Sequence, residues 1–168
     1  AARHPEDYLA ARLIAEVEAR MRGDLTPLFE FMRGTAPRFP TSSEVVKDRW
    51  FAAMASGDYA AALAAIDTAP ADATPDLDNT MRGDALRRLA RDEAAREAYA
   101  AERDALLALL EVDLDPFVEA TLRAALAYAQ ARLGEPDDAR RNIARADTLW
   151  GFEREPSDGG RIWYWLMP

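Results

Sequence analysis

From Leu9 onward, apolar residues recur at threes and fours. Leu9, Leu13, Ile14, Val17 and Met21 share one face of a helix expected over 7–22. Gly23-Asp24 ends it, the glycine suited to a C-terminal cap and the aspartate to the next N-cap. Leu25, Leu28, Phe29 and Met32 form a second stripe, with Pro27 early in its helix and Gly34 and Pro37 closing it. The same alternation of stripe and turn continues. Helices are expected over 44–56 and 60–69 around Gly57-Asp58, over 77–90 and 92–111 around Ala90-Arg91, and over 116–133 and 137–149 around Gly134-Glu135-Pro136. Pro37 to Ser43, Pro70 to Pro75, Asp113 to Pro116 and Arg154 to Gly160 read as connectors. No stretch alternates long enough to claim a sheet, and the aromatic run Ile162 to Met167 is the sole candidate strand. Helix pairs joined by short turns predict an all-α array of hairpins over 7–35, 44–70, 77–111 and 116–149, with a capping tail over 150–168, in one domain of 168 residues.

Composition sharpens this picture. Alanine, the best helix former, supplies about a fifth of the residues. With 49% hydrophobic and 30% charged residues the chain reads as globular. There is no Cys, which excludes disulfides, thiolate metal sites and cysteine nucleophiles. The net charge of −9 argues against a partner that is nucleic acid or an anionic membrane surface. No apolar run approaches the roughly 18 residues of a spanning helix, so no membrane insertion is expected. Twenty of the 21 basic residues are Arg and only Lys47 is Lys, which with the alanine excess suggests a GC-rich bacterial genome. The opening Ala1-Ala2-Arg3 leads us to expect a domain cut from a longer chain. The compartment stays open, the cytoplasm being favoured over the periplasm.

Two segments carry one small signature, Ala62-x3-Ile66-x2-Ala69 and Ala139-x3-Ile143-x2-Ala146, and Ala95-x3-Tyr99 shares it until Glu102 takes the third place. Each follows its turn by the same offset. The segments lie 33 and 44 residues apart, around a period near ~34 residues. Small residues let helices approach, and the large residue one turn on fills the groove between them. These repeats resemble the tetratricopeptide family, whose second-helix pattern they carry. The first-helix half departs from it: the family's Leu-Gly pair falls on Leu126-Ala127, Arg82-Gly83 and Arg49-Trp50. The resemblance implies a right-handed stack of antiparallel hairpins, and a general helical bundle is the alternative. The chain is also similar to arrays appended to bacterial signalling proteins.

Candidate chemistry is sparse. His4, the single histidine, sits at the N-terminus and reads as a surface residue. The carboxylate pairs Glu16 and Glu18, Glu93 and Glu97, Asp113 and Asp115, and Asp137 and Asp138 read as solvated faces and helix caps, because nothing in their spacing indicates a shared cleft. No phosphate loop or nucleophile motif is present, so no catalytic, cofactor-binding or metal residue is assigned.

The resemblance implies that the first helix of each hairpin lines a concave face. That face would hold Lys47, Phe51 and Met54, then Thr80, Asp84, Arg87 and Arg88, then Tyr128, Ala131 and Arg132. Arginines and aromatics suit an acidic or C-terminal peptide. The expectation is a non-enzymatic scaffold binding a protein or peptide there, without a cofactor. Its alternative is a regulatory or sensor module of a larger bacterial signalling protein, such as a cyclase or transcription regulator. An enzyme built on the carboxylates is the third reading. Trp163 and Trp165 are expected to cap the open end of the stack or to form a homodimer.

Overall fold

The computed structural model describes residues 5–35, 41–71 and 78–150. Among them are eight α-helices and no strand: α1 Pro5–Arg22, α2 Thr26–Thr35, α3 Ser43–Ser56, α4 Tyr59–Asp67, α5 Asp78–Arg88, α6 Asp92–Leu109, α7 Pro116–Leu133 and α8 Pro136–Trp150. His4, the 154–160 connector and the tail with Trp163 and Trp165 lie outside the described residues.

Local chemistry sets the helix ends. The Ser42 hydroxyl accepts from the Val45 amide, the Asp58 carboxylate from the Ala61 amide and the Asp115 carboxylate from the Phe117 amide, so α3, α4 and α7 each begin on a side-chain cap. Pro116 opens α7, where its missing N–H costs nothing. Gly57 and Gly134 close α3 and α7 with φ of 77° and 85°, and Ala90 adopts the same left-handed conformation after α5 at φ 55°.

The chain divides into two compact units, Ala1–Ala90 and Arg91–Pro168. In the first, α3, α4 and α5 share a core of Val46, Trp50, Ala62, Ile66, Met81 and Ala85. The Trp50 indole N–H donates to the Met81 carbonyl at 3.0 Å, which ties α3 to α5. Tyr8 of α1 packs on Val45 of α3 and on Phe31 of α2, with the two rings 5.5 Å apart. In the second unit α7 packs on both α6 and α8. Its contact with α8 is built on Ala120, Ala124 and Ala146, closed by Ile143, Leu149 and Trp150. Ala62, Ala95, Ala127 and Ala139, expected at helix contacts, are all buried. Glu102 is buried as well, at the signature position where a small residue was expected.

The first apolar stripe behaves differently. Leu9, Leu13, Ile14, Val17 and Met21 are exposed, while α1 turns Tyr8, Ala15 and Ala19 inward. The two alanines bring the helix close to its neighbours, and Tyr8 supplies both an apolar ring and a donor for a buried carboxylate.

Candidate interaction groove

An open groove of about 570 Å³ runs between α7 and α8. Its α7 wall is Ala127, Tyr128 and Ala131, and its α8 wall is Ala139, Arg140, Ile143, Ala144 and Asp147. These positions recur at threes and fours on each helix, so one face of each contributes. The alanines leave the space, and Tyr128 and Ile143 supply the apolar bulk. Arg140 and Asp147, both exposed, stand two helical turns apart, about 10 Å along the axis. The groove therefore has an apolar floor with a cation toward one end and an anion toward the other.

Two arrangements hold it. The Arg132 guanidinium lies over the Tyr128 ring, 4.7 Å from its centroid, and its Nη2 donates to the Tyr128 hydroxyl at 2.5 Å. A polar ladder fixes α7 against α8. The Arg123 guanidinium donates to Glu119 at 2.7 Å and to Asn142 at 3.0 Å, and the Asn142 amide donates to the buried Gln130 at 3.0 Å. The guanidiniums of Arg123 and then Arg145 hold the Glu119 carboxyl below its ordinary range.

The expected concave-face residues fall in both units. In the first, Lys47, Phe51 and Met54 share a face of α3 by their spacing. Phe51 is 37% exposed and stacks edge-on against Trp50, while Met54 packs against the core. Arg87 and Arg88 are exposed in the last turn of α5. In the second unit Tyr128 and Arg132 are brought into contact, and Tyr128 and Ala131 line the groove. The α8 wall was not anticipated. Its signal was present in Arg140, Ile143, Ala144 and Asp147 at helical spacing, but the repeat frame assigns Ile143 to filling the helix contact.

A buried polar cluster also went unread. Asp48 is 2% exposed, and its Oδ2 accepts from the Tyr8 hydroxyl at 2.5 Å and from Arg12 Nε at 2.8 Å. Burial pushes the Asp48 carboxyl up despite both donors, and burial with the adjoining carboxylate pushes the Tyr8 phenol up. Arg12 reaches on to Glu16, which also accepts from Arg20. This cluster fastens α1 to α3.

Four of the other paired carboxylates hold structural places. Glu18 pairs with Arg22, Asp137 with Arg140 and Asp138 with Arg141, and Asp115 caps α7. Among the described residues no three His, Cys, Asp or Glu side chains group as a metal site would require, and no helix is long and apolar enough to cross a membrane. Comparison with family models, curated proteins and solved structures returned no match.

Proposed function

We propose that the chain is a non-enzymatic, tetratricopeptide-like helical-repeat scaffold that holds a peptide segment of another protein in the α7/α8 groove. The observation that carries this reading is the groove itself: an open apolar trough of about 570 Å³ with Arg140 and Asp147 two turns apart. Its volume falls in the range of built binding sites. A short amphipathic helix fits this chemistry, with apolar anchors at threes and fours, an acid toward Arg140 and a base toward Asp147. Tyr128, held by Arg132, is a preorganised aromatic anchor of the kind that dominates interfaces. The repeated small-large-small signature supports the stacked-hairpin reading, since its alanines are buried or half-buried at every occurrence.

The test is selection of peptides from a displayed random library against the full chain, followed by affinity measurement on the enriched sequences. Ala144 is exposed on the groove wall, so Ala144→Phe fills the trough without entering the core. It should weaken binding about tenfold or more, as should Arg132→Glu, which ends the stack on Tyr128. Enriched peptides indifferent to both changes would place the binding surface elsewhere.

A further inference from the structure

The outward face of α1 carries a run of exposed apolar side chains between Leu9 and Met21, with Arg20 beside it. Leu9 is 51% exposed, Leu13 59%, Ile14 69%, Val17 48% and Met21 84%, with Leu25 at 56% just past the helix end. At roughly 100 Å² of exposed apolar surface apiece, the six amount to about 600 Å², the ceiling of what the largest patch on a typical monomer reaches. The face is also opposite to the packed one: at 3.6 residues per turn Val17 stands about 180° from Tyr8, which is buried. The inner face already satisfies its own chemistry through Tyr8, Arg12 and Asp48. Among the described residues, the packing of the first unit does not call on the outer stripe.

We infer that this stripe is the contact surface between two copies of the chain, paired antiparallel about a two-fold axis at Val17. The argument rests on area, symmetry and charge. Two copies of a patch this size bury about 1,200 Å² together, the lower bound of a specific protein interface. Within α1 the stripe Leu13, Val17 and Met21 is evenly spaced with Val17 at its centre. An antiparallel pair therefore sets Leu13 against Met21 of the second copy, as an isologous interface requires. On one flank, helical geometry places Arg20 within one turn of Glu16 of the second copy. Arg20 is well exposed and already reaches its own Glu16 at 2.6 Å, so the same two groups serve within and between copies.

The experiment is mass measurement by light scattering on the full chain, with two sets of variants. At about 100 μM, where a dimer of micromolar Kd is filled, the chain should weigh twice its 18.6 kDa. Ile14→Glu with Val17→Glu should halve that mass while leaving the helical spectrum and the melt intact, because both positions are exposed. The absence of Cys makes crosslinking clean: Val17→Cys should form a disulfide-linked dimer on mild oxidation, whereas Ala61→Cys, exposed on α4, should not. A wild-type mass of one chain at this concentration overturns the proposal, as does a doubled mass that survives the double glutamate variant. A single-chain mass with α1 amides that lose protection only on deletion of residues 151–168 also overturns it, and assigns the face to the chain's own end.

Discussion

Asp48 is the residue whose environment says most about this fold. A carboxylate 2% exposed is costly unless hydrogen-bonded, and the Tyr8 hydroxyl and Arg12 guanidinium supply that bonding from α1. Tyr8→Phe removes one donor and should cost about 1–2 kcal/mol, read as a fall in Tm of roughly 2–8 °C. The pH dependence has a definite sign. Burial raises the Asp48 pKa above its ordinary 3.8, against the pull of Tyr8 and Arg12 and with Glu16 adding to the rise. Stability from a raised carboxyl is full below its unfolded value and is lost as pH rises through the folded one. The Tm of the wild type relative to Asp48→Asn should therefore increase as pH falls from 7 toward 4. A flat difference would show that burial does not govern this carboxyl. Ala90 offers a second test. It holds φ 55°, the conformation that Gly57 and Gly134 hold at the equivalent turns. For an L-residue this costs about 1–2 kcal/mol, partly offset by the entropy a glycine brings to the unfolded chain. Ala90→Gly should raise Tm by a degree or more, whereas Gly134→Ala should lower it.

At the scale of elements, most of the architecture was legible because the turns announce themselves. Gly57-Asp58 and Gly134-Glu135-Pro136 combine a left-handed cap with a new helix start, so the hairpins around them could be placed to within a residue or two. Which face a helix buries was less legible. On α1 the larger apolar side chains are outside and Tyr8, Ala15 and Ala19 are inside, because close approach and a satisfied Asp48 outweigh the bulk of the exposed stripe. Leu107 and Leu109 are likewise exposed beside the buried Leu106, so the α6 stripe is narrower than its leucines suggest. The alanine positions were readable because the signature repeats. Ala62 is fully buried between α3, α4 and α5, so Ala62→Leu should destabilise by about 1–3 kcal/mol through overpacking. A neutral melt would show room in that core. The α7/α8 register depends on a ladder no spacing rule could reveal, since it joins residues on two helices. Asn142→Ala would remove the donor to the buried Gln130 Oε1 and should cost about 1–3 kcal/mol, with no matching loss at the exposed Arg140→Ala.

Across the whole molecule, net charge weighs against polyanionic partners. The chain carries −9 overall. Several of its arginines are also occupied: Arg12, Arg22, Arg103 and Arg123 lie against carboxylates at Asp48, Glu18, Glu135 and Glu119. A sequence-independent nucleic-acid binder works in the opposite way, presenting cations that displace counterions from phosphates. Composition alone carries that expectation, because net charge survives folding, whereas the groove required knowing which alanines face outward on two different helices. Labelled duplex DNA and single-stranded RNA at about 50 mM salt, where phosphate contacts are strongest, should show no binding by fluorescence anisotropy at tens of micromolar chain. Neutralising carboxylates one flank at a time makes the test sharper. Glu119→Gln frees Arg123 and Arg145 together, and if ion pairing is what silences the arginines, this change should bring the first salt-sensitive association. Binding by the unmodified chain would mean that an arginine cluster acts as a patch despite the overall charge, and the peptide-binding reading would then have to yield to it.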